Sequence, residues 1–278
     1  MKKSIKKLFL LFLVSILTAL TFNRATVLAR RDSESIFVNE HSLVAPEQFA
    51  NQSIIWQPTR LLCPAIASGQ FPNQPLSEGW LRGSEWRLCS NGTLEIEAGF
   101  VEVRGFAPPW TAFNNWITQI DILGNVTAGT HLNRLFGSLV NLEVINGLTY
   151  LDTSATVSMA WMFSGSSRLT ELDVSNFNTA NVWDMSAMFA STAMLESLDV
   201  SNFDTSNVAG MGAMFHGSSL RNLDLSNFNT ANVEYMNNMF MAMPSLEHLD
   251  VSNFDTTNVR SMMFMFLDNQ IETLDLVI

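Results

Sequence analysis

Five aspartates, Asp173, Asp199, Asp224, Asp250 and Asp275, recur at steps of 26, 25, 26 and 25 residues. Carboxylates on so even a spacing form a file of like charge once the chain folds. Such a file must be offset by a bound cation, by a hydrogen bond from the next unit's backbone, or by a raised pKa. The glycine- and aspartate-rich nonapeptide of calcium-binding β-rolls is absent, so no metal ligands are assigned. The four histidines, His41, His131, His216 and His248, lie far from both cysteines and never take a metal-pair spacing. No Gly-x-Ser-x-Gly, phosphate-cradling glycine loop or His-Glu-x-x-His is present. Evenly repeated carboxylates suit a solvated face better than a unique acid–base pair. The chain therefore reads as a binding protein, not an enzyme, with no catalytic residue and no cofactor.

The aspartates belong to a longer recurring sentence. Leu172-Asp173-Val174-Ser175-Asn176-Phe177-Asn178-Thr179-Ala180-Asn181-Val182 continues into Met185, Met188 and Phe189, and near-copies start at Leu198, Leu223 and Leu249. A fifth copy starts at Leu274. A period of this size predicts a stacked solenoid. Leu172 and Val174 are two apart and share one face of a short strand, while Met185, Met188 and Phe189 sit at i, i+3, i+4 and predict one helical turn. Each unit is then a β/α coil with one short parallel strand and one turn of helix. Eight buried side chains supply about 12–24 kcal/mol. Ordering 25 backbones costs about 25–50 kcal/mol. A unit is stable only when its neighbours share its core.

Polar positions repeat as well. Asn176, Asn202, Asn227 and Asn253 form one file, Asn181, Asn207, Asn232 and Asn258 another, and Thr179, Thr205, Thr230 and Thr256 a third. These side chains close turns on nearby backbone, or stack amide on amide between coils. The Asp residues point outward, between inward neighbours. The residue two places before each Asp changes from unit to unit: Glu171, Ser197, Asn222, His248 and Thr273. Those five, with Asp173, Asp199, Asp224, Asp250 and Asp275, are the candidate recognition face.

The rest of the chain positions this array. Residues 1–29 have a basic start, an apolar run from Leu8 to Phe22 and the small-residue stretch Val27-Leu28-Ala29, as in a cleaved secretory signal peptide. The run is shorter than a membrane span, so no membrane association is expected after cleavage. Residues 30–84, punctuated by Pro46, Pro58, Pro64, Pro72 and Pro75, read as an irregular spacer. Cys63 and Cys89 are the only cysteines. An even count in an exported chain favours a disulfide, and two free thiols is the other reading. Residues 85–145 read as a β-rich N-terminal cap. Asn91-Gly92 marks a hairpin there, with a two-residue loop setting Leu88 opposite Glu95 and Cys89 opposite Leu94. Trp116 to Ile122 alternates as a strand, and Leu132, Leu135, Phe136 and Leu139 suggest helical turns. Trp80, Trp86, Trp110 and Trp116 read as core rather than a sugar-stacking surface. Residues 146–278 are the solenoid.

The string Leu-Asp-(Val/Leu)-Ser-Asn-Phe-(Asn/Asp)-Thr-x-Asn-Val-x-x-Met-x-x-Met-Phe resembles the repeat of the BspA-like leucine-rich-repeat surface proteins of bacteria. The match is strongest from Leu169 to Leu276 and weaker back to Trp110. The resemblance implies a leucine-rich-repeat-like solenoid, secreted or held at the cell surface, that binds host extracellular or bacterial surface proteins. No Leu-Pro-x-Thr-Gly sorting motif and no lipid-anchor cysteine accompanies it. The net charge of -11 disfavours nucleic acid as a partner. Leu274-Asp275-Leu276 is an edge strand, and its exposure predicts self-association unless the chain continues.

Overall fold

Alternate backbone N–H groups in each Met-x-x-Met-Phe segment leave their own coil and bond the next one. Met185, Ala187, Phe189 and Ser191 donate to the carbonyls of Gly210, Gly212, Met214 and His216, at 2.9, 2.8, 2.9 and 2.6 Å. The following segment repeats the pattern: Met211, Ala213, Phe215 and Gly217 donate to Tyr235, Asn237, Met239 and Met241. The N–H groups between them close turns within their own coil, as in Met188 to Met185 and Ala190 to Ala187. The computed structural model, which describes residues 63–75, 80–105 and 107–276, is thus a β-solenoid of about seven turns with almost no helix.

This corrects the expected helical turn. An α-helix spends every N–H on its own i−4 carbonyl and would leave none for a neighbouring coil. Here the third residue of each segment is left-handed: Trp161, Ala187, Ala213, Asn238 and Phe264 have φ between 54° and 58°. Positive φ at that place makes a type II turn and flips the next peptide towards the adjacent coil. The i, i+3, i+4 residues still point inward, so the buried set is as expected while the backbone is not. The same holds earlier. Leu132, Leu135, Phe136 and Leu139 are fully buried, but Arg134 and Ser138 are left-handed and no helix forms. The leucine-rich-repeat-like β/α coil is therefore replaced by a coil of turns. Regular strands are also fewer than one per unit.

Strands concentrate at the ends: β1 (Ala65–Gln70), β2 (Gln74–Pro75), β3 (Trp80–Leu81), β4 (Glu85–Cys89), β5 (Thr93–Ile96), β6 (Gly99–Val103), β7 (Gln119–Ile122), β8 (Val126–Leu132), β9 (Val144–Asn146), β10 (Leu151–Asp152), β11 (His248–Asp250) and β12 (Thr273–Asp275). One sheet runs β1-β4-β5-β7-β9, and another runs β10-β8-β6. β5, β7 and β9 pair in parallel, Thr93 with Gln119 and Gln119 with Val144. Coil stacking therefore begins inside the region read as a cap, before residue 146. β4 runs antiparallel to both β1 and β5 and closes that end, and the short pair β2 and β3 is antiparallel as well. The stretch 30–84 needs a similar correction. Residues 30–62, like the signal segment 1–29, lie outside the described residues, but β1 is an ordered edge strand on β4. Pro64 and Pro72, which suggested a spacer, bracket this strand. In the middle coils the ladder thins to single parallel bridges, from His131 through Ser158, Asp184, Gly210 and Tyr235 to Ser261.

The Asn-Gly hairpin forms with a register one residue from the expected one. Gly92 N–H bonds Cys89 C=O, and Gly92 takes φ 89°, so the loop is a turn followed by a left-handed bulge residue. Leu88 then faces Leu94, and Trp86 faces Ile96. One shift puts all four apolar side chains on the same buried face.

The core is a continuous column. Phe136, Phe163, Phe189, Phe215, Phe240 and Phe266 stack with ring centroids 5.8–5.9 Å apart, and Trp110 sits on Phe136 at 6.4 Å. Val174, Phe177, Val182, Met185 and Met188 and their equivalents surround it. Methionine suits positions where successive coils differ slightly, because its unbranched chain fills uneven gaps. Trp86 and Trp110 are core, whereas Trp116 is 62% exposed.

A second left-handed file runs through Ser138, Gly165, Ser191, Gly217, Ala242 and Asp268. Two coils place glycine there, where a Cβ costs about 1 kcal/mol. Ser191→Gly and Ala242→Gly should each raise the thermal midpoint, and Ala242→Val should lower it. Circular-dichroism melts check both directions.

Candidate recognition face

In each Leu-Asp-Val step the flanking apolar residues go inward and the aspartate outward. Leu198 and Val200 are buried and Asp199 is exposed. The serine two places on closes an Asx turn: Ser175, Ser201, Ser226 and Ser252 donate their N–H to Oδ1 of Asp173, Asp199, Asp224 and Asp250 at 2.9–3.0 Å. Hydrogen bonds from the serine hydroxyl and then the serine amide hold these four carboxyls below the usual carboxylate range. Neighbouring aspartates push Asp199 the other way, and that effect is smaller. Of the three offsets expected for the acidic file, a raised pKa is thus overturned. The bond from the next coil is replaced by one from the same coil. Each of these four carboxylates is satisfied within its own coil.

All ten candidate residues, Glu171, Asp173, Ser197, Asp199, Asn222, Asp224, His248, Asp250, Thr273 and Asp275, are exposed. Glu171, Asp173, Ser197, Asp199 and Asn222 line one shallow depression with Leu172 and Leu198 at its floor. Asp224 and Asp250 edge the next depression. His248 pairs with Thr273 and Asp250 with Asp275 where β11 meets β12. The face is thus continuous over five units. Beside it, Arg221 Nε lies 3.1 Å from Glu196 Oε2, a pair that bridges two coils.

The other polar files are occupied. Asn202 Nδ2 donates to the carbonyls of Val174 and Phe177 in the preceding coil, both at 3.0 Å. Asn176, Asn227 and Asn253 each do the same to two carbonyls of their own preceding coil. Asn181, Asn207, Asn232 and Asn258 each donate to a carbonyl of the preceding coil. The amides therefore bond backbone rather than stack on one another. Buried Thr179 donates from Oγ1 to Asp204 C=O and accepts from Asp204 N–H, at 3.0 and 2.8 Å. Thr205 makes the same pair with Asn229, and Thr230 donates to Asp255 C=O. These residues join coils and have little left for a ligand.

Cys63 and Cys89 form a disulfide in the structure, with Cα atoms 5.6 Å apart. It ties Cys63, two residues before β1, to the last residue of β4. Among the described residues, the one grouping of potential metal ligands is these two cysteines with Glu95, and both sulfurs are taken by the disulfide. His131, His216 and His248 lie in different coils, and His41 is outside the described residues. No described helix is long and apolar enough to cross a membrane.

One surface feature was missed by the reading of the sequence. Ala209, Gly210, Gly212 and Ala213 are the outward residues of one coil, with Trp161, Trp183 and Asp184 on one side and Glu234, Tyr235 and Asn237 on the other. The signal was the run Ala209-Gly210-Met211-Gly212, which is small where the neighbouring units carry Trp183, Asp184 and Ser186 or Glu234, Tyr235 and Asn237.

The acidic file sets a pH response. A depressed carboxyl pKa stabilises the fold above the unfolded value and loses that effect as pH falls through the folded one. The thermal midpoint should therefore drop as pH falls below about 4. Replacing Asp173, Asp199, Asp224 and Asp250 together by Asn should flatten this dependence, because Asn keeps the acceptor without a charge. Melts from pH 7 to pH 2 test it.

No curated protein and no solved structure matches the chain. The family model described as "Mycoplasma protein of unknown function, DUF285" matches three overlapping stretches, residues 111–198, 130–222 and 192–275. Together they take in more than half of the chain, and the chain belongs to the DUF285 family of repeat proteins.

Proposed function

We propose that this protein is a secreted or cell-surface binding module of the BspA-like kind, which engages a protein on a host or bacterial surface through the Leu-Asp face. One observation carries this reading. Five positions that vary in chemistry, Glu171, Ser197, Asn222, His248 and Thr273, are exposed in a row on an otherwise constant coil. A rigid frame with interchangeable outward residues is how solenoids build extended binding surfaces. The fixed aspartates add a negative field that favours a cationic patch on the partner.

Binding of the purified chain to immobilised extracellular-matrix proteins and to bacterial cells tests this. Alanine at all five variable positions should weaken such binding at least tenfold with an unchanged thermal midpoint. Equal binding by that variant would leave the array a spacer without a specific ligand. A midpoint lowered by a chelator would instead favour a cation-stabilised scaffold.

Self-association is a second reading, favoured by the last described coil. Met262, Met263, Phe264, Leu267 and Leu276 are 43–63% exposed there, and β12 pairs only with β11 among the described strands. Sedimentation should show a concentration-dependent dimer that Met263→Lys with Phe264→Asp abolishes. A monomer at every concentration would end this reading.

A further inference from the structure

We propose that the notch over Ala209–Ala213 is a binding site for a neutral pyranose glycan. The site shares no residue with the Leu-Asp face and stands independently of the function proposed for it. Its volume is about 500 Å³, within the range of small-ligand pockets. Trp183 and Tyr235 rise at its two sides, 49% and 44% exposed. They belong to coils two steps apart, at 5.9 Å per step along the ring column. The coil between them carries no side chain larger than methyl on this face. The result is an open trough with an aromatic wall at each side.

The backbone of this trough is largely committed. Ala209 and Gly210 donate to Trp183 C=O, Met211 donates to Tyr235 C=O, and Ala213 donates to Asn237 C=O. An added peptide strand would find few of these N–H groups free. The side chains decide what else fits. Asp184 accepts the Ser186 N–H on Oδ1 at 2.9 Å. Glu234 pairs with Arg260 at 3.1 Å, and Asn237 presents an amide. Gly210 is required for this arrangement: a Cβ there would come within 2.8 Å of Asp184 Oδ1 and 2.9 Å of Ser186 Oγ. Hydroxyl-rich ligands offer donors to a carboxylate and C–H faces to aromatic rings. Sulfated and uronate glycans are repelled by Asp184 and by the net charge of -11. A neutral sugar chain meets all of these conditions.

Affinity electrophoresis of the full chain in gels containing soluble mannan, dextran or β-1,3-glucan tests the site. At least one of them should retard the protein. Trp183→Ala and Tyr235→Ala should each weaken that binding tenfold or more, while the exposed Trp116→Ala should not. A variant with Ala209→Glu places in the trough the residue that Glu234 supplies at the same position of the next coil. It should abolish binding with an unchanged thermal midpoint. Retardation by none of the three polysaccharides overturns the proposal. So does binding that survives Trp183→Ala and Tyr235→Ala, or capture of only heparin or an oligoproline peptide.

Discussion

The fold depends on hydrogen bonds that run between coils rather than along them. Every second N–H of the Met-x-x-Met-Phe segment is exported to the neighbour, and it can be exported only because one residue per segment turns left-handed. Elsewhere around the coil, side chains do the same work. The Asn files and buried Thr files bond backbone groups of adjacent coils, so that turns with no strand ladder are still joined. Each such bond adds about 0.5–1.5 kcal/mol net, but leaving a buried donor unmade costs more. A coil without neighbours therefore loses more than its packing. The phenylalanine column requires the same period, since each ring needs another above and below it.

That division of labour separates the outward positions from those that hold the coils together. Asn, Thr and Ser bond the backbone. Leu, Val, Phe and Met fill the interior. The remaining outward positions are few, and they vary without touching the ladder. Glu171, Ser197, Asn222, His248 and Thr273 are one such row, and the small residues of Ala209–Ala213 interrupt another. A repeat protein can alter one row and leave the other intact, because the coil-to-coil hydrogen bonds at both rows are made by backbone groups, not by the side chains that vary.

Much of this was legible in the chain before folding. The period, the inward residues and the outward aspartates follow from spacing alone, because side-chain direction is set by local alternation. The helical turn was misread because i, i+3, i+4 spacing is satisfied equally by consecutive turns, and Ala187 or Ala213 carries no mark of a left-handed backbone. The hairpin at Asn91-Gly92 was found, but its bulge was not. Burial of Trp86, Leu88, Leu94 and Ile96 on one face would have selected the right register. The Asn and Thr files were read as structural, yet their partners, carbonyls a whole coil away, have no signature in one unit. The trough beside Trp183 and Tyr235 needs five units aligned side by side before its small residues stand out.

The direction of the inter-coil bonds also sets how the molecule would yield to force. They lie along the stacking axis, so a pull on the two ends of the array loads them in series, one coil boundary at a time. The weakest boundary opens first and peels a single coil, while the others keep their geometry. Each event frees about 25 residues, or roughly 80–90 Å of extended chain. Extension would then proceed in even steps, and the array would lengthen under tension as a stepwise shock absorber rather than failing at once.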